Sequence, residues 1–411
     1  MNETITELPS GLTLAVEPMP HTRTVSVGVW VAVGSRDEPA ELSGVSHFLE
    51  HLLFKGTETR TAISISQSID RVGGDINAFT SKEYTAYYCR LPARYLDEGI
   101  ALLGDVLTVP ALRAVDVENE RQVILEELAM DEDSPDDVVH RRFTRQTFAD
   151  HPLGRDTAGE LPTVTSITPE QVRNFHGEHY RAGSIVVAIA GAVDPGRARA
   201  AVVRAFAAMP EGDGRAIRAA PSGADGDAEI LDDTEQVHMV VGGRALPRLD
   251  PDREALDVVN HVLGGGLSSR LFEEIRERRG LAYSVYSGTA SYADAGAWSV
   301  YAGTLPEHAG TVAVLIREQL DALVKGGITA DELAIAIGSL TGSYEMGLED
   351  SGARMSRLAG MLTTMDRVRS VEEQLARWEA VTLDDARRVI EQVYGDASLT
   401  VTLGPGYVPP S

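Results

Sequence analysis

The sequence predicts an α+β protein of two homologous domains, each a mostly antiparallel sheet with helices packed on one face. Three observations predict this fold. Strand-like runs alternate with helical segments, several features recur at one fixed spacing, and a loop-like stretch divides the chain near its middle. With 411 residues, the chain is long enough for about two or three domains with ample cores.

Hydrophobic periodicity predicts the individual strands and helices. Runs rich in valine and aromatic residues predict strands at 24–33, 84–89 and 237–242. Apolar residues three and four positions apart predict helices near 95–107, 170–179, 252–263 and 308–324.

A spacing of 214 residues connects the two halves of the chain. In the first half, a threonine precedes a helix start, and a tyrosine and a serine then lead into an apolar strand that begins at Ile185. The second half repeats this order, which is typical of an internal duplication. The related pairs are Thr168 and Thr382, Tyr180 and Tyr394, Ser184 and Ser398, and Leu91-Pro92 and Leu305-Pro306.

The junction between the halves is rich in glycine, small and acidic residues, as linkers are. We therefore predict a first domain at 1–214, a linker at 215–230 and a second domain at 231–411. The 214-residue spacing places His261 at the position of His47 in the first domain. The glutamate and the second histidine that follow His47 at positions 50 and 51 correspond to glycines, so the second domain is predicted to lack the metal site that the first could form.

Composition excludes two classes of function. The formal net charge of -25 argues against a nucleic-acid-binding protein, because a phosphate backbone would be repelled. No apolar run approaches the length of a membrane span, and the first residues lack the apolar region of a signal peptide. Cys89 is the only cysteine, which is typical of a protein from the reducing cytosol. We therefore expect a cytoplasmic protein without nucleic-acid or membrane partners.

His47, Glu50 and His51 form the pattern His-x-x-Glu-His in a segment with helical periodicity. Residues three and four apart share one face of a helix. Two imidazoles one turn apart can bind a single metal ion, and a carboxylate beside them can transfer a proton. This order is the inverted form of the zinc-peptidase motif.

A catalytic zinc site needs a third protein ligand and an open position. Glu120 and Glu127 are seven residues apart in a segment with helical periodicity, so they lie two turns apart on nearly one face. A glutamate-rich helix in an acidic chain is also typical of a solvated face. The spacing alone therefore leaves both interpretations open.

These motifs resemble the pitrilysin, insulinase and mitochondrial processing peptidase family of zinc peptidases. In that family, a helix with the pattern Val-Ile-x-x-Glu follows the inverted motif by about 75 residues, and Val123 to Glu127 matches it. The resemblance implies that Glu127 is the third zinc ligand and that Glu120 is its supporting neighbour. Glu126 points about 100° away from Glu127 on a helix, so only one of the two can face the histidines.

The resemblance extends over nearly the whole chain. His151 to Arg155 matches a family pattern that we expect to be structural, and the region from Gly264 to Tyr283 resembles the family's arginine–tyrosine region. It implies that Arg276 and Tyr283 hold the substrate and stabilise an oxyanion, although an exposed helix end has the same pattern. It also implies a substrate-binding edge strand, which a turn followed by an ordinary strand would match equally well; its residues are Asn77, Ala78, Phe79 and Thr80.

The function implied by the resemblance is a zinc-dependent endopeptidase, with one Zn²⁺ per chain, that hydrolyses unstructured peptides inside a closed chamber. Zinc activates water, and Glu50 acts as the general base. Short members of the family work as dimers, which implies a homodimer in which Arg276 and Tyr283 of one subunit reach the zinc of the other. A heterodimer with an inactive homologue is the alternative.

Two other functions remain open. A non-catalytic core or scaffold subunit would have no need of the intact motif formed by His47, Glu50, His51 and Glu127. A peptide-binding protein stabilised by zinc would normally close the metal with four protein ligands, and no fourth ligand is apparent in the sequence.

Overall fold

The structure is a computed structural model that describes residues 3–395 and 398–406. It contains two sheets with helices packed against them, which confirms the predicted α+β class. The strands of the described residues are β1 (Thr4–Glu7), β2 (Thr13–Pro18), β3 (Thr24–Val31), β4 (Asp75–Thr80), β5 (Thr85–Pro92), β6 (Ile185–Gly191), β7 (Ala228–Leu231), β8 (Val237–Ala245), β9 (Ala282–Ser291), β10 (Gly296–Thr304) and β11 (Leu399–Gly404).

The four helices predicted from periodicity are all present, and the one predicted near 252–263 continues as a π-helical turn at His261–Gly265. The helices of the described residues are α1 (Val45–Leu53), α2 (Ala62–Asp70), α3 (Leu96–Thr108), α4 (Ala114–Glu132), α5 (Pro135–Phe148), α6 (Leu161–Ser166), α7 (Pro169–His179), α8 (Pro195–Ala205), α9 (Arg253–Asn260), α10 (Pro306–Gly326), α11 (Ala330–Gly347), α12 (Ser351–Met365), α13 (Val371–Glu379) and α14 (Leu383–Val389).

The two sheets share one strand order. The first sheet has the order β1-β2-β6-β3-β5-β4, and the second has the order β7-β11-β8-β10-β9. In each sheet one pair is parallel, β2 with β6 and β7 with β11, and the other pairs are antiparallel. Because the second order repeats the last five strands of the first, the topology supports the predicted duplication.

The chain forms two compact units that are not continuous along the sequence. The predicted domains at 1–214 and 231–411 are each continuous in sequence. Each compact unit, in contrast, also includes a helix from the other half of the sequence. The first unit comprises the chain up to Leu128, Arg155–Arg218 and Glu345–Arg369; the second comprises Ala129–Gly154, Ala219–Tyr344 and the chain from Ser370 onward.

The helix that each unit takes from the other half covers the second face of its sheet. In the first unit, Met355 and Leu358 of α12 pack on Trp30 and neighbouring small residues of the sheet. In the second unit, Val139 and Phe143 of α5 pack on residues of β8 and β11. A sheet that is covered on both faces buries successive residues of its central strands, which explains why every residue of β3 after Thr24 is buried. These helices therefore add a layer to the one predicted from the sequence.

Cys89 is buried in β5, and burial raises the pKa of its thiol to about 12, so the thiol is unreactive at neutral pH. Among the helices of the described residues, none combines the length and the apolar character that crossing a bilayer requires.

Candidate metal centre and active site

α1 presents the His-x-x-Glu-His motif on one face because its other residues form the core. Phe48, Leu49 and Leu52 are buried, whereas His47 and His51 are half-buried. The two imidazole rings lie 4.7 Å apart between centroids, as the one-turn spacing predicts. The helix therefore offers two ring nitrogens on the side that faces away from the core.

A buried carboxylate fixes the start of α1. Oε2 of Glu38 accepts a hydrogen bond from the Gly44 backbone N–H, and Oε1 accepts one from Ser46 N–H, both at 2.7 Å. Gly44 has a φ of +96°, and a Cβ at this position would lie 2.6 Å from the carbonyl oxygen of Ala158. Only glycine fits this entry into the helix, so the position of α1 is set before the motif begins.

The Glu38 carboxyl is buried away from solvent. Burial raises the pKa of its carboxyl to about 7, although the two backbone N–H groups and the charge of Lys82 lower it. The Arg155 guanidinium donates a 2.8 Å hydrogen bond to the Glu38 carbonyl oxygen. The segment from His151 to Arg155 was expected to be structural, and this contact gives Arg155 a structural role beside α1.

α4 brings the predicted third ligand to the histidines. Glu127 Oε2 lies 3.8 Å from Nε2 of His47 and 3.5 Å from Nε2 of His51. The nearest ligand atoms of the three residues all lie within 4.8 Å of one another. Glu126 is exposed and does not belong to this group, as the 100° offset on the helix requires.

The donor set fits zinc. Two imidazole nitrogens and one carboxylate oxygen are the three-ligand combination of catalytic zinc sites that keep a position open. Burial and the neighbouring His51 lower the pKa of His47 to about 4, so its imidazole is neutral at neutral pH. Neutral imidazole is the form that coordinates a metal ion. Within residues 3–395 and 398–406, no other three His, Cys, Asp or Glu side chains bring their ligand atoms so close together.

Glu120 lies behind His51, one of the predicted metal ligands. Its Oε2 lies 3.3 Å from Nδ1 of His51, and its Oε1 lies 2.6 Å from the Lys55 ammonium. The Glu120 carboxylate is buried, so the lysine compensates a charge that solvent does not reach. The structure therefore places Glu120 beside a predicted ligand, as the resemblance implies for a supporting neighbour.

Glu50 lies next to the three-residue group without belonging to it. Burial raises the pKa of the Glu50 carboxyl, and the nearby Glu127 charge adds to this effect. Hydrogen bonds from Thr80 lower it, and the Thr80 hydroxyl lies 2.6 Å from Oε2 of Glu50. A carboxyl whose pKa is raised in a partly dry site is suited to accept and return a proton.

β4 is an edge strand, as predicted for the substrate-binding segment. The Ala78 backbone N–H donates a 2.8 Å hydrogen bond to the side-chain Oδ1 of Asn77, so the Asn77 amide covers one backbone group. The Phe79 ring packs edge-to-face 6.1 Å from Trp30, whereas the Thr80 hydroxyl contacts Glu50. The side chains of Phe79 and Thr80 therefore lie on opposite faces of the sheet.

Arg276 and Tyr283 lie side by side in the second compact unit. The guanidinium carbon of Arg276 is 4.9 Å from the centroid of the Tyr283 ring and 4.8 Å from that of Phe272. Tyr283 is 80 % exposed. The two residues thus form a cation–π pair between Arg276 on a π-helical turn and Tyr283 in β9, and the role of the pair in substrate binding stays a prediction.

His261, at the position that corresponds to His47, stands among glycines. A Cβ on Gly266 would lie 2.8 Å from two atoms of the His261 ring. The glycines thus leave room for the ring and supply no metal ligand.

Sequence reasoning missed three contacts at the site. The tertiary fold brings Glu38 and Lys55 into contact with the site, and no local sequence pattern predicts either contact. Thr80 was assigned to the substrate, but the alternation of β4 places its side chain on the same face as Ile76 and Ala78, which pack against the helices. The period of two in the strand could therefore have indicated that Thr80 turns towards α1.

Two family models match this sequence. Residues 13–161 match the model described as insulinase (peptidase family M16), and residues 166–340 match the model described as peptidase M16 inactive domain. The first match includes the group formed by His47, His51 and Glu127. The second match includes Arg276 and Tyr283.

Curated relatives match over almost their whole length. A protein named as an uncharacterized zinc protease of Streptomyces coelicolor is 44% identical, over 97% of this chain and 89% of the relative. Another of that description from Mycobacterium leprae is 43% identical, over 97% and 91%. A third from Bacillus subtilis is 33% identical, over 98% of each chain.

Two solved structures share the fold. A protease from Helicobacter pylori superposes with a TM-score of 0.93 at 26% identity and covers 98% of this chain and 99% of that one. A protein from Pseudomonas fluorescens, described as a peptidase M16 inactive domain, superposes with a TM-score of 0.92 at 22% identity over the full length of both chains.

Proposed function

Because this chain belongs to the insulinase family, peptidase family M16, we propose that it is a zinc-dependent endopeptidase that hydrolyses unstructured peptides or short polypeptides. The observation that carries the proposal is the convergence of Glu127 on Nε2 of His47 and of His51, from a helix about 75 residues away in the sequence. Its curated relatives are named as zinc proteases.

The three residues proposed as ligands differ in how they are held. His47 and His51 stand on α1, whose start is fixed by Glu38, and Glu127 stands on α4. Buried residues of α4, among them Ile124 and Leu128, belong to the same core as those of α1. Because the two helices pack in the same core, their relative position is fixed, so the proposed ligand atoms stay close without the metal. Bound zinc would supply the Lewis acidity that lets water attack a peptide carbonyl at neutral pH.

Glu50 carries the proton in this proposal. It takes a proton from the attacking water and returns it to the nitrogen of the leaving amine, which completes the cleavage of the peptide bond. Glu120 accepts a hydrogen bond from Nδ1–H of His51 and so keeps Nε2 of that ring free for the metal. Tyr283 would donate a hydrogen bond from its hydroxyl to the developing oxyanion, and Arg276 would hold the peptide.

The edge strand β4 supports a preference for extended peptides. An incoming strand can pair with the outward backbone groups of β4, among them the Ala78 N–H, and this addition depends little on side chains. For such pairing, the Asn77 amide must leave the Ala78 N–H. A folded protein does not present a free extended segment, so unstructured peptides are the proposed substrates. The net charge of -25 favours basic peptides among them.

We propose further that the protein works in the cytoplasm as a homodimer. One chain carries both a metal group and an Arg276–Tyr283 pair, so two copies would be self-sufficient. A heterodimer with an inactive homologue is the alternative partner arrangement.

A metal assay combined with cleavage of a quenched fluorescent peptide tests the proposed function. The purified protein is expected to contain one zinc per chain and to cleave the peptide, to lose activity with a chelator, and to regain it with added zinc. Zinc without cleavage of any unstructured peptide would favour a peptide-binding protein that uses zinc structurally. A chain with neither zinc nor cleavage would favour a scaffold subunit.

A further inference from the structure

Thr80 joins the edge strand of the first sheet to the glutamate proposed as the general base. Its hydroxyl donates a 2.6 Å hydrogen bond to Oε2 of Glu50, so a side chain of β4 holds a side chain of α1. Hydrogen bonds to an ionised carboxylate are shorter and stronger than those between neutral groups. The Thr80 backbone also hydrogen-bonds the Glu50 carboxyl, so residue 80 orients it through its hydroxyl and its backbone together.

The backbone around Thr80 is fixed on both sides. Thr80 pairs with Thr85 across the β4–β5 hairpin, and Ser81 N–H donates a 2.9 Å hydrogen bond to the Tyr84 carbonyl oxygen. The Ser81 carbonyl in turn accepts a 3.0 Å hydrogen bond from Ser35 N–H. A hydroxyl on so restrained a backbone has little freedom, which makes it a suitable anchor for a carboxylate.

We propose that Thr80 is a positioning residue that holds Glu50 in the orientation for proton transfer, and that it contributes through Glu50 rather than by contact with the peptide. The inference rests on the proposed function. It follows that the outer edge of β4 would take the substrate while the inner face of the same strand orients the base. An extended peptide paired with β4 would then stiffen the element that holds Glu50.

Two substitutions separate the hydroxyl from the shape of the side chain. T80V keeps the size and β-branching of threonine and removes the hydroxyl, whereas T80S keeps the hydroxyl. T13V, at a threonine of β2 in the same sheet, is the matched control for the loss of a hydroxyl from a strand. For each variant, kcat and KM are measured with a quenched peptide, together with zinc content and the thermal midpoint.

The expected result is a loss confined to turnover. T80V should lower kcat by roughly tenfold or more, the range for losing a hydrogen bond to a charged group. KM, the zinc content and the thermal midpoint should stay close to those of the unchanged protein. T80S should restore most of kcat, and T13V should behave as the unchanged protein.

A double-mutant comparison tests whether Thr80 acts through Glu50. In E50Q, the added T80V change should have little further effect on the residual rate, because the group that Thr80 orients is already lost. Additive losses would overturn the proposal. So would a T80V variant with unchanged kcat, with a raised KM alone, or with lost zinc. If the unchanged protein cleaves no peptide, the proposed function itself fails; if it does and T80V is normal, only this inference fails.

Discussion

The Glu120 carboxylate lies 3.3 Å from Nδ1 of His51, the ring nitrogen opposite the one that faces Glu127. A carboxylate in this position accepts a hydrogen bond from Nδ1–H and leaves Nε2 as the metal-binding nitrogen. Lys55 lies 2.6 Å from the other oxygen of Glu120 and balances its charge. The contacts from Lys55 to Glu120 and from Glu120 to His51 therefore set both the tautomer and the orientation of the His51 ring, one of the proposed ligands.

Glu120 should contribute to zinc affinity without binding zinc. We expect Glu120→Gln to weaken zinc binding by roughly 10- to 100-fold, the usual effect of losing a carboxylate that supports a ligating histidine. Lys55→Met should weaken it less, because the carboxylate remains. Competition with a fluorescent chelator measures both. Zinc affinity in Glu120→Gln equal to that of the unchanged protein would contradict the support role.

Two adjacent glutamates of α4 provide a matched pair. Glu127→Gln should reduce the bound zinc to well below one per chain, because a neutral amide is a poor replacement for a carboxylate ligand. Glu126→Gln, which changes the charge by the same amount one residue away, should leave zinc content and activity intact. Elemental analysis of the dialysed proteins distinguishes the two. Zinc loss in Glu126→Gln alone would mean that the ligand had been assigned to the wrong residue.

Local patterns predicted the parts of this site that lie within one element. The one-turn spacing of His47 and His51, and the seven-residue spacing of Glu120 and Glu127, each place two groups on one helix face. Only the family resemblance predicts that the two faces meet, because no periodicity links α1 to α4. Glu38 and Lys55 depend on the tertiary fold in the same way, and they were not found.

The same limit applies to the fold. Strands and helices with strong periods, such as β3 and α10, lie close to where the sequence predicts them. The exchange of α5 and α12 between the compact units was not predicted, because the apolar residues of each helix do not indicate which sheet they cover. From the sequence, Val139 in α5 and Met355 in α12 would be predicted as core residues equally well in either unit.

The buried carboxyl of Glu38 should give the protein a measurable pH dependence of stability. Its pKa is about 7 in the folded protein and 4.5 as its ordinary value. Between these pH values, the folded protein retains a proton that the unfolded chain releases. The free energy of unfolding should therefore fall as the pH rises from 4.5 to 7, by about 3 kcal/mol from this group, and then level off.

Glu38→Gln removes this titration. Unfolding by urea is followed at several pH values between 4.5 and 8 for both proteins, because the difference between the two curves cancels the other titrating groups. The unchanged protein should lose stability relative to Glu38→Gln as the pH rises. Parallel curves would show that Glu38 has an ordinary pKa.

Mixing two inactive variants tests the proposed homodimer. If Tyr283 of one subunit serves the zinc of the other, a dimer of one Glu50→Gln chain and one Tyr283→Phe chain keeps one intact site. An equal mixture of the two, after subunit exchange, should recover about a quarter of the unchanged activity, because about half of the dimers are mixed and each has one of two sites. Each variant alone is the control. Activity no higher than the sum of the two variants would count against sharing between subunits.

Glu50→Gln is the most direct test of the central claim, that Glu50 transfers the proton beside a zinc held by His47, His51 and Glu127. The variant keeps the size of the side chain and removes its ability to take a proton. The account predicts one zinc per chain, with turnover of a quenched peptide reduced by roughly 100-fold or more. Normal cleavage by the zinc-loaded variant would contradict the assignment of Glu50, and loss of zinc from it would place Glu50 among the ligands.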